Sequence, residues 1–188
     1  MSETPKEITE TITVENVVAS TSTGRDLDLE ALCMDMPESQ FNPDNFPGLI
    51  YRSVDERLAA LIFRSGKIVC TGADSIEQIH RVLTELEEEF DEIGLEHNDL
   101  EPTVQNIVGV ADLGENMNLN AIAIGLGLEE TEYEPEQFPG LIYRGSDTNT
   151  VSLLFGSGKL VITGGKSTDN IEHGVEMMYS ELDDLALM

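Results

Sequence analysis

The heptapeptide FPGLIYR occupies residues 46–52 and recurs unchanged at residues 138–144. The likeness extends well past these letters, because FNPDNFPGLIYRSVDERLAALIFRSGKIVCTG (41–72) aligns without a gap with YEPEQFPGLIYRGSDTNTVSLLFGSGKLVITG (133–164). A period of about 90 residues that occurs twice is too long and too rare for a solenoid. The repeat therefore indicates a duplicated structural unit.

Each copy presents the same order of secondary-structure patterns. Alternating, β-branched segments predict strands at 12–21, 46–53, 58–65 and 67–73, and again at 103–112, 138–145, 150–156 and 159–164. Short helices are predicted at 26–36 and 119–128. Apolar residues at steps of three and four predict a long amphipathic helix at the end of each copy; they are Ile76, Ile79, Leu83, Leu86, Phe90 and Ile93, and then Ile171, Val175, Met178, Leu182 and Leu185. The first of these helices begins near Ser75, which has capping-box spacing to Gln78. We expect an α+β fold in which two β-α-β-β-β-α units form one continuous antiparallel sheet with helices on one side.

The chain ends and the cysteines bear on where the protein acts. Residues 1–11 read as a flexible acidic tail, residues 12–100 as the first repeat and residues 101–188 as the second. The N-terminus lacks a signal peptide, and no apolar run reaches the roughly 20 residues of a membrane-spanning helix. Cys33 and Cys70 lie in apolar stretches, so we expect buried, reduced thiols. These features predict a cytoplasmic protein that has no contact with a membrane.

Acidity is the strongest signal in the composition. The chain has 10 Lys and Arg against 37 Asp and Glu, a formal net charge of −27. Charge of this sign argues by itself against a nucleic-acid partner, and the 40% of apolar residues argues against disorder. At about 1 M salt the Debye length is only about 3 Å, so surface carboxylates scarcely repel one another. The composition therefore favours a folded protein adapted to high ionic strength.

Both faces of the predicted sheet are apolar, although each copy has one long helix with which to cover a face. Strand alternation assigns the hairpin residues to two faces. One face takes Leu61, Phe63, Val69 and Thr71, with Leu153, Phe155, Val161 and Thr163 in the second copy; the other takes Ile62, Ile68 and Cys70, with Leu154, Leu160 and Ile162. A sandwich or a dimer would be the ordinary explanation for a second apolar face.

The polar residues near that face favour a more specific partner. Asn16 and Asn106 occupy matched places in the two copies, and small, partly polar threonines accompany them. Basic residues, scarce in this chain, recur at the strand ends as Arg52, Lys67, Arg144 and Lys159. An apolar face with central hydrogen-bonding groups and a cationic edge fits the minor groove of DNA, where A·T pairs present acceptors and no amino group.

At these residues the sequence closely resembles the TATA-box-binding protein family in its archaeal form. The motifs are NVVAS, QNIVG, the two FPGLIYR segments, and ALIFRSGKIVCTG with LLFGSGKLVITG, and the resemblance covers about residues 12–181. It implies a saddle-shaped sheet, helices on the convex side, and a general initiation factor that binds A·T-rich promoter elements. This family is itself a reference case of minor-groove kinking, so DNA bending follows from the resemblance alone.

The resemblance also implies the DNA-binding residues. Phenylalanines that wedge between base steps would be Phe46, Phe63, Phe138 and Phe155. The residues matching the family's central hydrogen-bonding pairs are Asn16, Asn106, Thr71 and Thr163. The apolar floor would be Val18, Val69, Val108, Val161, Leu61 and Leu153. Contacts to the DNA backbone would come from Arg52, Arg144, Lys67, Lys159, Ser65 and Ser157. No cofactor or metal is implied.

The same resemblance implies protein partners. The loop YEPEQ (133–137) is similar to the family's docking loop for transcription factor B, through Glu134, Glu136 and Gln137, and RNA polymerase would be recruited indirectly. The sequence departs from the family at NPDN, before Phe46, where many relatives are basic, and at Arg64, whose counterpart is Gly156. It leaves open whether the free protein dimerises through its apolar face.

Two other classes of function, an enzyme and a protein-binding regulator, compete with this one. An enzyme would need clustered catalytic groups, whereas His80, His97 and His173 are scattered, and GSGK (156–159) lacks the outer residues of a phosphate-binding loop. The alternative is a regulator with the same duplicated saddle fold that binds protein partners. The presence of all four phenylalanines together with both asparagines and both threonines argues against it.

Overall fold

The strands and helices follow the predicted order with shifted ends. The computed structural model describes residues 5–54, 57–146 and 149–188. The helices are α1 (Pro5–Thr9), α2 (Leu29–Asp35), α3 (Ile76–Glu92), α4 (Leu119–Leu126) and α5 (Thr168–Asp184). The strands are β1 (Thr13–Ser22), β2 (Ser39–Gln40), β3 (Leu49–Arg52), β4 (Ala59–Ile62), β5 (Lys67–Ala73), β6 (Thr103–Asp112), β7 (Thr131–Glu132), β8 (Gly140–Tyr143), β9 (Val151–Phe155) and β10 (Lys159–Gly165).

The chain divides into two compact units that repeat one plan. The first-repeat unit is Asn16–Gln105, and the second-repeat unit is Asn106–Met188 together with the segment that ends at Glu15. The strands of the first are ordered β2-β3-β4-β5-β1, and those of the second β6-β10-β9-β8-β7. The strand pairs within each unit are antiparallel.

One long helix packs on one face of each unit's strands. Helix α3 lies against β4 and β5, and α5 against β9 and β10. The predicted stripe of α3 is buried at Ile79, Leu83, Leu86 and Phe90, and Val82 joins it. The stripe of α5 is buried through Leu182, but Leu185 caps the helix end and is 37% exposed. Helical periodicity therefore identified the core and overestimated its extent at the helix ends.

The N-terminal segment differs from the flexible tail predicted for residues 1–11. Residues 5–9 form α1, which packs against α5. Ile8 is fully buried there, and the Thr11 hydroxyl donates a hydrogen bond to the Ile8 carbonyl at 2.7 Å. One apolar residue in a polar segment was enough to bring it onto the core. Residues 1–4 lie outside the described ranges.

Several element ends differ from the sequence expectation for identifiable reasons. Strand β3 begins at Leu49, because the Phe46 amide closes a turn onto the Asn42 carbonyl and Pro47 has no amide proton. Helix α2 begins after Asp28, whose carboxylate accepts from the Ala31 amide. The expected capping box is not formed, since Ser75 makes no side-chain cap bond and Gln78 accepts from the amide of Asp74, the residue before the cap. The short strands β2 and β7 were not predicted.

A β-bulge interrupts the last hairpin strand of each unit. Between the pairs Val17–Ala73 and Ala19–Cys70, two residues of β5 face one residue of β1, and β10 has the same shift against β6. Each bulge contains a glycine in the left-handed region, Gly72 at φ 88° and Gly164 at φ 93°. Glycine adopts this conformation without the cost that a side chain would add.

The two bulge glycines should differ in their tolerance of alanine. A Cβ on Gly72 would lie 1.8 Å from the Arg57 carbonyl oxygen, whereas a Cβ on Gly164 would lie 3.1 Å from that of Asn149. We expect Gly164→Ala to lower the free energy of unfolding by about 1–2 kcal/mol, the ordinary penalty of the left-handed region. Gly72→Ala should lower the free energy of unfolding clearly more, because the backbone must also move. Denaturant unfolding of both variants in one buffer measures the difference, and equal losses would contradict this account.

Candidate nucleic-acid interface

Side chains of each unit alternate between a buried face and a half-buried face. The residues under the helix are fully buried, as at Leu49, Ile62 and Ile68 in the first unit. We call the opposite, half-buried set the open face of each unit. It comprises Asn16, Val18, Ser20, Ile50, Leu61, Phe63, Val69 and Thr71 in the first unit, and Asn106, Val108, Val110, Ile142, Leu153, Phe155, Val161 and Thr163 in the second. The predicted division of the hairpin residues between two faces is thus confirmed.

Strand register aligns the apolar members of the open face into rows. In the first unit Ile50 pairs with Leu61, Leu61 with Val69, and Val69 with Ser20. The second unit forms the corresponding row, which runs across the strands through Ile142, Leu153, Val161 and Val110. Sequence reasoning omitted Ile50 and Ile142, although alternation from Arg52 back through β3 would have placed Ile50 on this face.

The repeated Phe-Pro-Gly holds two aromatic rings together. The ring centroids of Phe46 and Phe63 are 5.8 Å apart in an edge-to-face arrangement. A Cβ on Gly48 would lie 2.7 Å from the Phe46 Cε1 atom and 3.2 Å from that of Phe63. Only glycine leaves room for both rings, which accounts for its presence after the proline.

The second unit repeats this ring pair almost unchanged. The centroids of Phe138 and Phe155 are 5.7 Å apart, again edge to face. The Phe138 amide donates to the Glu134 carbonyl at 2.9 Å, which forms the turn that leads into the segment. A Cβ on Gly140 would lie 2.7 Å from the Phe138 ring and 3.1 Å from the Phe155 ring. Each unit therefore carries two half-buried rings at one end of its open face.

The two asparagines are held in a defined orientation by the bulges. The Gly72 amide donates to Asn16 Oδ1 at 3.0 Å, and the Gly164 amide donates to Asn106 Oδ1 at 2.7 Å. Because the amide oxygen of each side chain accepts from the backbone, its NH₂ group is the part left to donate elsewhere. In the second unit that group also lies 3.3 Å from the Thr163 hydroxyl. Each open face thus contains a fixed hydrogen-bond donor.

The cations predicted to contact a DNA backbone lie at the rim. Strand alternation places Lys67 and Lys159, at the first positions of β5 and β10, on the open-face side, and both are exposed. Arg52 and Arg144, at or just after the ends of β3 and β8, are exposed on the same side. The turn serines that precede the lysines, Ser65 and Ser157, are also exposed.

Arg64 is directed to a different part of the molecule. Its guanidinium group makes two hydrogen bonds to the Glu30 carboxylate on α2, at 2.7 and 2.9 Å. The matched positions in the second unit are Gly156 and Asn120, so this ion pair belongs to the first unit alone. Arg64 is therefore not one of the rim cations.

The acidic loop of the second unit is solvent exposed. Glu134, Glu136 and Gln137 are all exposed, and the Gln137 side-chain amide donates to the Glu134 carboxylate. That bond leaves the Glu136 carboxylate as the group of the three that projects without this constraint. The structure thus places the three predicted partner-binding residues in one exposed turn.

The remaining histidines, cysteines and carboxylates were predicted to form no catalytic or metal site. Over the described ranges, no group of three or more His, Cys, Asp and Glu residues is arranged to hold a metal ion. Cys70 is buried, and that burial raises the pKa of its thiol to about 12, whereas Cys33 is only half-buried, contrary to expectation. The described helices include none that is long and apolar enough to span a membrane.

Comparison with known proteins identifies the family. The model of the family described as "Transcription factor TFIID (or TATA-binding protein, TBP)" matches residues 11–93 and 101–185. The chain belongs to the TATA-binding protein family. Members of this family are DNA-binding transcription factors, so the chain is not an enzyme.

Individual relatives cover nearly the whole chain. TATA-box-binding protein 2 of Haloferax volcanii is 59% identical over 95% of this chain and 97% of the relative. The TATA-box-binding protein of Archaeoglobus fulgidus is 51% identical over 94% and 97% of the two chains. The solved structure of Methanococcus jannaschii TBP superposes with a TM-score of 0.82 at 42% identity, covering 92% of this chain and 98% of that chain. The predicted duplicated α+β fold class is confirmed.

Alanine at the glycine of Phe-Pro-Gly should disturb the ring pair. We expect Gly140→Ala to shift the Phe138 and Phe155 ring resonances in NMR spectra and to lower the unfolding free energy by about 1–3 kcal/mol, as overpacking does. Gly156→Ala is the matched control, since a Cβ there would meet only the Met117 carbonyl oxygen, at 3.8 Å. Identical spectra and stabilities for the two variants would show that the rings do not depend on Gly140.

Proposed function

We propose that this protein is a general initiation factor that binds TATA-type promoter DNA through its two open faces, one half-site to each. The main support for this proposal is the half-buried apolar row of each unit. An oriented asparagine donor lies on the same face, and a phenylalanine pair lies at one end of that face. Family membership supports a TATA-box-binding transcription factor.

The chemistry of the open face suits the minor groove of A·T pairs. That groove presents the acceptors adenine N3 and thymine O2, while a G·C pair adds the guanine N2 amino group. The fixed NH₂ groups of Asn16 and Asn106 can donate to those acceptors. A guanine N2 amino group facing either NH₂ group would put two donors together and leave both without an acceptor. The valine and leucine side chains of each row bury the sugar and base edges on either side. Selectivity for A·T thus needs no charged group on the face.

The phenylalanine pairs would act as wedges at the ends of the site. A ring inserted between base steps costs a few kcal/mol of unstacking, which the larger contact with bent DNA offsets. Steps such as TA unstack most easily, so the deformability of the DNA contributes to selectivity. In support of four wedges, a turn precedes Phe46 and Phe138, and each of these rings packs edge to face with Phe63 or Phe155. TATA-binding proteins are the reference case for such insertion, so the bend is expected of the family.

Protein partners would bind outside the open faces. We propose that transcription factor B docks on the exposed turn carrying Glu134, Glu136 and Gln137, and that RNA polymerase is recruited through it. The free protein would protect its apolar rows by pairing as a homodimer until DNA replaces the second copy. Because its proposed target is promoter DNA, the protein would act at the chromosome, in the cytoplasm.

Removing one wedge from each unit tests the proposal. In about 1–3 M KCl, the chain should bind a duplex with a central TATAAA element and bend it, and should bind a G·C-substituted duplex much more weakly. Phe46→Ala/Phe138→Ala should lower affinity by at least about tenfold and abolish the bend, since both insertions are lost. Fluorescence anisotropy and end-to-end energy transfer measure the two effects.

Met34→Ala is the matched control, because it removes an apolar side chain that is 85% exposed on α2. It should leave affinity and bending unchanged. If the unmodified protein binds both duplexes equally, or binds neither, the hypothesis of promoter binding is rejected. A regulator that binds protein partners would then be favoured.

The charge of the protein should alter how binding depends on salt. Four rim cations that each released a counterion, with a slope of about −0.9 per contact, would weaken binding about 50-fold between 1 and 3 M KCl. We expect instead less than about a threefold change, or tighter binding, because cations can bridge the surrounding carboxylates to phosphates and apolar contacts are not screened. A titration of Kd against KCl measures the slope, and a 50-fold loss would refute adaptation of the interface to high salt.

A further inference from the structure

The two open faces are nearly identical, and their one change of polarity is at Ser20. Seven matched pairs have the same residue type in both units: Asn16 and Asn106, Val18 and Val108, Ile50 and Ile142, Leu61 and Leu153, Phe63 and Phe155, Val69 and Val161, and Thr71 and Thr163. The eighth pair is Ser20 and Val110. A hydroxyl group in one unit therefore stands where the other has two methyl groups.

Strand register puts this difference inside the apolar row. Ser20 pairs with Val69, and Val110 pairs with Val161, so each residue ends the row of its unit. Both side chains are half-buried. The Ser20 hydroxyl oxygen accepts from the Gln105 side-chain amide at 2.9 Å. A hydroxyl oxygen has two lone pairs and a rotatable proton, so this bond uses only part of its capacity.

We propose that Ser20 allows the first-repeat half-site to contain a G·C pair, and that Val110 restricts the second half-site to A·T. This inference rests on the proposed function. The guanine N2 amino group can donate to the Ser20 oxygen, which keeps it satisfied after water is excluded. Against Val110 the same amino group is buried without an acceptor, which is costly. A promoter with G·C in one half would thereby set the orientation of the protein.

A second, smaller difference lies beside the open faces and does not account for such selectivity. Ala59 pairs with Thr71, and the matched Val151 pairs with Thr163. Alanine and valine differ in bulk and share the lack of a hydrogen-bonding group. Exchanging them changes the fit to the groove without distinguishing an amino group from its absence.

A palindromic duplex allows the proposal to be tested by affinity alone. Three duplexes are compared: TATATATA, the same site with one G·C pair in one half, and the site with G·C at the symmetric positions of both halves, scanned over the four positions of a half-site. The unmodified protein can turn its first-repeat face onto the single substitution. At the position facing Ser20 it should lose only about twofold for one G·C pair, since one of two orientations remains. Two G·C pairs should cost at least about fivefold.

Exchanging the two residues should change these losses in opposite directions. Val110→Ser should bind the doubly substituted duplex within about twofold of TATATATA, because both faces then hold a hydroxyl. Ser20→Val should lose at least about fivefold for a single G·C pair, because neither orientation avoids it. Val110→Ala is the control for lost bulk, and relative to its own binding of TATATATA it should still lose at least about fivefold for two G·C pairs.

The outcomes separate this inference from the proposed function. If the unmodified chain fails to bind TATATATA, the proposed function has failed. If it binds, and Val110→Ser keeps the penalty of the doubly substituted duplex, or Ser20→Val keeps the tolerance of the single one, the assignment to Ser20 and Val110 is overturned. Equal tolerance in Val110→Ser and Val110→Ala would also overturn it, by showing that space and not the hydroxyl matters. Unfolding curves in the same salt establish that each variant is folded.

Discussion

A helix against one face only is the constraint on which the interface depends. Strand side chains alternate, so each apolar run in these hairpins supplies a buried set and a half-exposed set. One long helix per unit covers the first set. An antiparallel sheet in this position ordinarily carries polar residues on its uncovered side. Here valine, leucine and isoleucine form a row there, and burying that row is what a partner gains.

Glycines decide the form of this surface. At Gly48 and Gly140 the missing side chain admits two phenylalanine rings, and at Gly72 and Gly164 it allows a bulge whose amide orients an asparagine. The residues that would touch DNA are therefore positioned by residues that would not. A loss of function at these glycines would be a loss of geometry.

Electrostatics contributes by where charge is placed. The open faces hold no ionised side chain at the positions that define them, and the rim cations lie at strand ends. Arg64 is neutralised by Glu30 on α2 and takes no part in the rim. With 37 acidic residues in the chain, the proposed recognition would rest on apolar burial and oriented dipoles. Neither is screened by salt as a surface charge pair is.

The sequence by itself determined the duplication, the long helices and the division of the hairpin residues between two faces. These follow from periodicities of 2 and 3.6 residues, which are local properties of the chain. It placed Phe46 and Phe138 on that surface only through a family resemblance, whereas strand alternation had already assigned Phe63 and Phe155 to it.

What only the tertiary structure decided depends on residues far apart in the chain. Register brought Ser20 beside Val69, and packing drew Ile8 onto α5, a contact that a polar tail did not predict. The Asn16 side chain is oriented by a backbone amide 56 residues away in the chain. The Arg64 guanidinium is paired with a carboxylate 34 residues away. Local pattern selects which side chains share a face, but hydrogen-bond partners and neutralised charges are set by distances that no periodicity encodes.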